Sequence, residues 1–382
     1  MLKIYLIAGE ASGDNIGANL MRELKKTRED VCFYGVGGDK MMAEGMPPIF
    51  PAKELSLMGF IEILPYIPKF LYRIKQTINH IVSVNPDVVI TIDSPGFCFR
   101  VARAVKEKIS AKLIHYVAPT VWAYKPDRTR KIAKIFDHLL VILPFEPPYF
   151  IKEGLDTYFV GYPAIENLRI SPREEFRQKF NIKEEDLLLC LTPGSRRQEI
   201  KSLLPIFLEA VNELKKKTNK NIILAIPALN HLREEIELVN KGCASIILVD
   251  EKDKQGLFSS ADLALTKSGT ITTELAFYKL PMVVAHKVNG LSYWLLKKMI
   301  KIKYVTIINI LAEKELIPEL LQDECNAIKI SEKLFEYLSQ KNRSAFVMEI
   351  QSNLQKLILS NGMPSELAAK KILSVLKESD KL

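Results

Sequence analysis

The sequence lacks any uninterrupted apolar run of about 18 residues, which is the minimum that a membrane-spanning helix requires. Its first apolar stretch, residues 4–8, ends at Gly9 and is too short for the hydrophobic region of a signal peptide. These absences exclude an integral membrane protein. They predict a cytoplasmic chain that is either soluble or attached peripherally to a membrane.

Cysteine is also scarce, with five residues in the chain and no C-x-x-C pair. This count and the wide spacing argue against a disulfide framework and against a zinc site. No cluster of His and Asp residues stands at metal-ligand spacing either, so the sequence predicts no bound metal. The cysteines are Cys32, Cys98, Cys190, Cys243 and Cys325.

Positive charge is in excess, because the chain has 54 basic and 45 acidic residues and therefore a net charge of +9. A basic balance favours a polyanionic partner, such as nucleic acid, an anionic membrane or a phosphorylated substrate, although a solvated basic surface explains it equally well. No aromatic and basic recognition module is apparent, which argues against nucleic acid. The composition, 48% hydrophobic and 26% charged, excludes a disordered chain.

Short apolar runs rich in β-branched residues alternate with longer helical patterns along most of the chain. Most of these runs lack polar alternation, as expected for parallel strands that are buried on both faces. The pattern predicts an α/β protein with doubly wound sheets. The predicted strands are residues 4–8, 31–36, 88–92, 112–117, 139–143, 187–191, 222–226, 246–249, 263–266 and 282–285.

The chain is longer than one hydrophobic core usually serves. A boundary is indicated at residues 161–173, where a Gly-Tyr-Pro turn is followed by a polar segment, and a new series of strands starts at Leu187. The sequence therefore predicts two Rossmann-like domains, residues 1–165 and 166–351. The cleft that they face is the expected ligand site.

The first candidate site follows the first strand, in the motif Gly9-Glu-Ala-Ser-Gly-Asp14. It is not the dinucleotide fingerprint, and the acids Glu10 and Asp14 would repel a phosphate. We interpret it as a turn near an acceptor, with a capped strand–helix junction as the alternative. Asp93 ends another buried strand at its carboxyl edge, where α/β sheets bind ligands, and could act as a general base. Its alternative role is a helix cap.

The second half carries a turn that is suited to a diphosphate. Gly194 permits close approach of the backbone, Ser195 offers a hydroxyl group, and Arg196 offers a planar fork for phosphate oxygens. A helix follows, and its N-terminal dipole favours an anion.

A second such turn contains Ser268, Gly269 and Thr270, again between a strand and a helix. Glu274 lies one turn further and could accept hydrogen bonds from ribose hydroxyls, or could simply complement the helix dipole. Two phosphate-binding turns in one domain favour a nucleotide ligand.

Together these motifs resemble the lipid-A-disaccharide synthase family. The resemblance spans most of the chain and implies the GT-B glycosyltransferase architecture, with the C-terminal segment 352–382 packing back on the first domain. The matching motifs are Gly9-Glu-Ala-Ser-Gly-Asp14, Gly35-Val-Gly-Gly38, Met58-Gly59, Asp93-Ser-Pro95, His115-Tyr116, Trp122-Ala123, Leu143-Pro-Phe-Glu146, Val160-Gly161, Pro193-Gly-Ser-Arg196, Ser268-Gly-Thr270 with Glu274, and Pro281-Met-Val283.

The resemblance implies an inverting transfer from UDP-2,3-diacylglucosamine to 2,3-diacylglucosamine 1-phosphate. The products would be the β-1,6-linked disaccharide 1-phosphate and UDP, with no cofactor. Asp93 matches the family's strand-end acid and is the expected base, while Glu10 and Asp14 are placed near it by motif alone. Asn309 aligns with an asparagine near the donor site. Gly96 stands where many members carry a second acid, so that acid is dispensable here or is replaced by Asp14 or Glu10.

Metal-independent catalysis is also expected, since the Asp-x-Asp motif of metal-dependent glycosyltransferases is absent from the predicted strand ends. Both implied substrates carry acyl chains. The apolar segment 55–78 and the apolar, lysine-rich segment 291–304 therefore predict contact with the anionic inner face of the bacterial inner membrane. Both segments could instead cover the core. The rival functions are another GT-B enzyme (a lipid II glycosyltransferase or a UDP-sugar 2-epimerase), a UDP-sugar sensor without activity, and a nucleic-acid binder. The sequence leaves the oligomeric state open.

Overall fold

The computed structural model describes residues 1–55, 67–124, 127–287, 302–339 and 343–379. Two compact units divide the chain, one formed by Met1–Pro163 with Leu357–Leu382 and the other by Ala164–Lys356. The chain passes from the first unit to the second and later returns to the first. At both of these crossings the domain limits expected from the sequence differ from the observed ones by a few residues. The second crossing falls after residue 352 because the helix Arg343–Gln355 is continuous and lies wholly within the second unit.

The first unit contains a six-stranded parallel sheet in the order β2-β1-β3-β4-β5-β6. Its strands are β1 (Leu2–Ala8), β2 (Val31–Val36), β3 (Val88–Ile92), β4 (Lys112–Tyr116), β5 (His138–Val141) and β6 (Asp156–Phe159). Its helices are α1 (Ala11–Thr27), α2 (Asp39–Ala43), α3 (Ile67–Val84), α4 (Pro95–Val105), α5 (Arg128–Ala133), α6 (Pro147–Ile151) and, from the end of the chain, Pro364–Ser379.

Alternate residues of β1 enter two separate cores, because successive side chains of a strand point to opposite faces of the sheet. Ile4 and Leu6 pack with α1 and with the C-terminal helix Pro364–Ser379. Tyr5 and Ile7 pack with α3 and α4 on the other face. Helices therefore cover both faces of the sheet, as the absence of polar alternation in the strands predicts.

The second unit repeats this architecture with the strand order β12-β11-β10-β7-β8-β9. Its strands are β7 (Leu187–Thr192), β8 (Ile222–Pro227), β9 (Ile246–Val249), β10 (Leu263–Thr266), β11 (Met282–His286) and β12 (Glu319–Leu321). Its helices are α7 (Arg173–Lys179), α8 (Arg197–Lys215), α9 (Arg233–Asn240), α10 (Lys254–Ser260), α11 (Ile271–Phe277), α12 (Ile307–Ala312), α13 (Ala327–Ser339) and α14 (Arg343–Gln355).

Each sheet has one point where the strand order reverses, and ligands bind at such points in open α/β sheets. In the first unit the order reverses between β1 and β3, where Ala8 pairs with Ile92. In the second unit it reverses between β7 and β10, where Thr192 pairs with Thr266. The loops after these four strands therefore carry the candidate sites.

None of the helices in the described ranges combines the length and the apolar character that crossing a bilayer demands. The motif Met58-Gly59 and residues 291–301 of the second apolar segment lie outside the described residues, as do residues 56–66 of the first. From residue 67 onwards the first apolar segment is described, and it forms the start of the helix α3. Pro68 lies in the first turn of this helix, where proline is well tolerated.

Candidate active site

A cavity of about 380 Å³ opens at the carboxyl ends of β7 and β10 in the second unit. Seven of the eight donor-site residues predicted from the sequence line it. They are Gly194, Ser195, Arg196, Ser268, Gly269, Thr270 and Glu274. The parallel pairing of the two strands brings the two turns together, although more than 70 residues separate them along the chain.

The turn after β7 depends on Gly194, whose φ of +140° is unfavourable for other residues. A Cβ atom there would lie 2.3 Å from the Oε2 atom of Glu199 and 2.5 Å from its Cβ atom. Glu199 packs this closely because its carboxylate accepts a hydrogen bond from the backbone N–H of Ser195, at 2.9 Å. The loop is thereby fixed against the start of α8, whose dipole favours an anion.

Glu199 also forms ion pairs with two basic residues of this cavity. Its Oε1 atom lies 3.1 Å from the Nζ atom of Lys267 and 3.5 Å from the Nη1 atom of Arg196. One carboxylate thus holds a lysine from the β10 turn and an arginine from the β7 turn beside the same loop. The sequence interpretation assigned no role to Glu199 or Lys267. The position of Glu199, three residues after Arg196 at the helix N-cap, is that of a capping-box acid and could have indicated it.

Glu274 is paired with Lys254 of α10, and their Oε2 and Nζ atoms lie 2.9 Å apart. Burial acts to lower the pKa of Lys254, but the ion pair with Glu274 outweighs it, so the net pKa is raised and the lysine stays charged. This cation holds the carboxylate in one orientation at the cavity wall. Lys254 was missed from the sequence because it belongs to a different strand–helix unit.

Ser268 forms a hydrogen bond with the Nδ1 atom of His286, which ends the neighbouring strand β11. Burial, assisted by the charge of Lys267, lowers the pKa of His286 to about 4. The imidazole is therefore neutral at physiological pH and orients the Ser268 hydroxyl group without adding charge. The opposite side of the cavity is apolar and is lined by Ile226, Pro227, Ala228, Leu229, Leu232 and Ile236.

Asn309, the eighth predicted donor-site residue, does not line this cavity. It is fully buried, and its amide group is satisfied within the protein. The Nδ2 atom donates to the carbonyl of Ile317 and to Glu319, both at 2.8 Å, and the Oδ1 atom accepts from the backbone N–H groups of Leu316 and Ile317, both at 2.9 Å. This geometry favours a structural role for Asn309, and its contact with the donor stays a prediction.

We expect Asn309→Ala to lower the free energy of unfolding by about 2–4 kcal/mol, because it leaves several buried polar groups without a partner. Urea unfolding of the purified variant measures this loss. The matched control is Asn326→Ala, since Asn326 also bonds to backbone groups, those of Asp323 and Lys329, but is only partly buried and its hydrogen bonds are exposed to solvent. A fully stable Asn309→Ala variant that fails to bind nucleotide would contradict the structural role.

In the first unit, Asp93 lines a cavity of about 290 Å³ after β3 and β4. Asp93, Ser94 and Val117 have positive φ angles of 50°, 44° and 74°, which are strained for residues other than glycine. Burial raises the pKa of Asp93, and a hydrogen bond from the backbone N–H of Ser94 opposes the rise. Because Ser94 rather than Asp93 is the N-cap residue of α4, the helix-cap interpretation loses its basis.

The glycine motif after β1 lets the chain pass close to Asp93. A Cβ atom on Gly9 would lie 2.7 Å from the Oγ atom of Ser94, so a side chain there would push the β3 loop away. Glu10, the next residue, occupies the N-cap position of α1 and is half-buried. The strained turn after β3 therefore packs directly on the first motif.

Asp14, which the motif places near the expected base, is held by backbone groups of the neighbouring loop. Its carboxylate accepts hydrogen bonds from the backbone N–H groups of Gly38, Lys40 and Met41, at 2.8, 3.0 and 3.1 Å. These bonds join the first glycine motif to the second and cap the short helix α2. Because three backbone groups of the neighbouring loop hold this carboxylate, the geometry favours a positioning role for Asp14.

Glu146 is a buried acid for which the sequence interpretation assigned no chemistry. It accepts hydrogen bonds from the Nε1 atom of Trp122 at 3.2 Å and from the backbone N–H of Leu143 at 3.0 Å. Burial raises its pKa to about 7. The acid links the aromatic loop after β4 to the loop after β5, and so holds one edge of the Asp93 cavity.

His115, another motif residue, is entirely buried. Its ring stacks on Phe136 and its Nδ1 atom lies 2.7 Å from the Thr91 hydroxyl group. Burial lowers its pKa to about 3, so it is a neutral core residue. Within the described ranges, no three His, Cys, Asp or Glu side chains group closely enough to hold a metal ion.

Two units with doubly wound parallel sheets, one with a cavity suited to a nucleoside diphosphate and one with a strained acid at its switch point, define a two-domain Rossmann-like enzyme of the GT-B type. The model of the family described as lipid-A-disaccharide synthetase matches residues 4–373. The chain therefore belongs to the lipid-A-disaccharide synthase family and is a glycosyltransferase.

Similar proteins support this assignment. The lipid-A-disaccharide synthase of Rickettsia bellii (strain OSU 85-389) is 43% identical over 376 residues, covering 97% of this chain and 98% of the relative. The synthase of Rickettsia felis is 43% identical over 392 residues and both chains are covered completely. The resemblance seen in the motifs is confirmed.

Solved structures show the fold over nearly the full length. An S. aureus MnaA–UDP complex matches with a TM-score of 0.68 at 15% identity, covering 100% of this chain and 98% of that one. The UDP-GlcNAc 2-epimerase from Neisseria meningitidis, bound to UDP-GlcNAc, matches with a TM-score of 0.63 at 14% identity, covering 99% and 100%. At such low sequence identities the likeness confirms the architecture, and it does not indicate which substrate this chain binds.

Proposed function

We propose that this chain condenses UDP-2,3-diacylglucosamine with 2,3-diacylglucosamine 1-phosphate to give the β-1,6-linked disaccharide 1-phosphate and UDP. Membership of the family supports the reaction. The single structural observation that supports it best is the meeting of seven predicted donor-site residues around one cavity. In this proposal the second unit binds the donor, and the first unit binds the acceptor and faces the membrane.

The donor cavity offers what UDP requires. Arg196, Lys267, the Ser195 hydroxyl group and the N–H groups of the β10 turn supply donors for the diphosphate, and α8 adds its dipole. Glu274, held by Lys254, accepts hydrogen bonds from the ribose hydroxyl groups. The apolar wall that includes Ile226 and Leu229 accommodates the uracil ring. These donors stabilise the negative charge that develops on the leaving diphosphate.

Asp93 is the proposed general base. Its carboxylate takes the proton of the acceptor's 6-hydroxyl group as that oxygen forms a bond to the donor's anomeric carbon. The bond from the anomeric carbon to the diphosphate oxygen breaks in the same displacement, so the configuration inverts and UDP leaves. The raised pKa of Asp93 increases its affinity for the proton, which improves general-base catalysis.

The decisive experiment mixes the purified full-length chain with both substrates in neutral detergent and in EDTA. We expect the disaccharide 1-phosphate and UDP in equal amounts. Absence of the disaccharide would refute the proposed reaction. Loss of activity in EDTA that a divalent ion restores would refute the proposal that catalysis needs no metal, while leaving the reaction itself intact.

We expect Arg196→Ala to weaken UDP binding about 10-fold, because one charge-assisted contact to the diphosphate is lost from a half-exposed side chain. Isothermal titration with UDP measures the change, and the difference from the wild type should shrink as salt is raised. The matched control is Arg197→Ala, the adjacent exposed arginine outside the cavity lining. Equal losses in the two variants would indicate a general charge effect.

We also propose peripheral attachment to an anionic membrane through the start of α3. Leu71 and Tyr72 are 55% and 60% exposed there, beside the exposed basic residues Lys69 and Lys75. Apolar side chains with lysines around them suit the interfacial region of a bilayer. The residues that precede this helix, 56–66, lie outside the described ranges.

The double variant Leu71→Ser/Tyr72→Ser should bind about 10-fold less to vesicles that contain phosphatidylglycerol, because two apolar side chains no longer enter the interface. Flotation of the protein with the vesicles measures binding. Val82→Ser, which alters an exposed apolar residue near the other end of α3, should float like the wild type. Unchanged flotation of the double variant would contradict this membrane face.

A further inference from the structure

A further cavity of the first unit has no part in the proposed reaction. It is a groove of about 720 Å³ between α4 and α5. Its lining contains six basic side chains and one acid, Glu107. The basic residues are Arg100, Arg103, Lys106, Arg128, Lys131 and Lys134.

The two helices contribute their cations in the same pattern. Residues 100 and 103 of α4 with its C-cap residue 106, and residues 128 and 131 of α5 with its C-cap residue 134, are each three apart, so each set shares one helix face. Apolar side chains line the groove with them, among them Phe99 and Ile132. Like charges at this spacing destabilise a helix, so the protein's own stability does not explain the arrangement.

Only part of this positive charge is neutralised by the protein, since Lys106 lies 3.8 Å from Asp137 and donates a hydrogen bond to the carbonyl of Ile135. Arg103, Lys131 and Lys134 have no hydrogen-bond or ion-pair partner among the described residues. In contrast, Arg130 of the same helix α5 lies 3.3 Å from Glu153, and it is not part of the groove. The groove therefore presents Arg103, Lys131 and Lys134 without a partner among the described residues, whereas Lys106 at its edge is paired with Asp137.

The groove adjoins the cavity that contains Asp93. Pro95 and Arg128 line both spaces. A ligand with a reacting hydroxyl group at Asp93 could therefore extend an anionic group into the groove. In a glucosamine 1-phosphate the phosphate is attached to C1, and the 6-hydroxyl group is carried by the carbon attached to C5. C1 and C5 flank the ring oxygen, so one sugar ring carries both groups.

We infer that this groove binds the 1-phosphate group of the acceptor, with Arg103, Lys131 and Lys134 as the principal contacts and Arg128 at the junction with the Asp93 cavity. The inference rests on the proposed function and names the part of the first unit that selects a phosphorylated acceptor. A groove that gathers cations from two helices beside the reacting acid fits one phosphate monoester better than the broad surface of a bilayer.

The test compares two acceptors, 2,3-diacylglucosamine 1-phosphate and 2,3-diacylglucosamine without the phosphate, in neutral detergent micelles. We expect Arg103→Ala/Lys131→Ala/Lys134→Ala to lower kcat/KM for the phosphorylated acceptor roughly 100-fold. For the acceptor without phosphate, the variant and the wild type should differ less than about threefold. The KM for the donor should not change.

The matched control is Lys215→Ala/Lys217→Ala/Lys220→Ala, which removes the same charge from exposed positions of the second unit. It should behave as the wild type. Equal losses with both acceptors would overturn the inference. So would normal kinetics in micelles combined with lost binding to phosphatidylglycerol vesicles, which would assign the groove to the membrane. A wild-type protein that forms no disaccharide would instead refute the proposed function.

Discussion

Replacing Asp93 by Asn should lower kcat about 10³-fold while the dissociation constant for UDP changes less than about twofold. The amide keeps the size of the side chain but cannot take a proton, and general-base catalysis contributes factors of roughly 10² to 10⁴. Asp93 belongs to the first unit, whereas the donor cavity is built entirely from residues of the second. Nucleotide affinity should therefore be preserved.

Initial rates under saturating substrates, together with isothermal titration of UDP, separate the two effects. Asp39→Asn is the matched control, because Asp39 is an exposed acid of the same unit in the first turn of α2. It should retain wild-type turnover. Residual activity of Asp93→Asn above a tenth of the wild type would mean that another group removes the proton, and Glu10 would become the first alternative.

The fold could be predicted from the sequence almost completely, because buried parallel strands leave a strong local signal. Ten of the twelve strands that the structure describes were predicted from apolar runs. The two that were missed, β6 and β12, lie at sheet edges in their units. β6 begins with Asp156 and β12 has three residues and begins with Glu319, so neither forms an apolar run.

The two turns of the donor site could be predicted from the sequence, but the ion pairs that hold its charged side chains could not. Gly194 and Ser268 stand in recognisable turns directly after strands, and parallel pairing necessarily brings such turns together. Lys254 reaches Glu274 from another part of the chain, and nothing in its sequence neighbourhood indicates that contact. Ion pairs of this kind depend on tertiary packing, which local patterns do not encode.

Motif residues were also harder to assign to chemistry than to detect. Asp14 and Asn309 stand in motifs of the family, but their side chains bind backbone groups of neighbouring loops. A motif contains residues that support a site as well as residues that contact the substrate, and the sequence pattern alone does not distinguish the two. Only the hydrogen-bond partners distinguish them, and these require the structure.

The β7 turn gives the second large expected effect, the loss of nucleotide binding in Gly194→Ala. The added methyl group would meet both the carboxylate and the Cβ atom of Glu199, at 2.3 and 2.5 Å. The carboxylate alone could swing aside, but the Cβ atom is fixed to the backbone of α8. The turn itself must therefore move, and the positive φ adds strain for alanine.

Movement of the turn displaces the Ser195 hydroxyl group and Arg196 from the diphosphate position. Because each hydrogen bond to a charged group contributes about 1.5–3 kcal/mol and about 1.4 kcal/mol is tenfold in affinity, we expect UDP to bind about 100-fold more weakly to Gly194→Ala, as measured by titration calorimetry. Gly242→Ala is the control, since Gly242 also has a positive φ, 72°, but nothing lies within 4 Å of an added Cβ atom. That variant should lose about 1 kcal/mol of stability and keep its UDP affinity. Wild-type affinity in a folded Gly194→Ala protein would show that the diphosphate does not depend on this turn, and the donor site would then have to rest on the β10 turn alone.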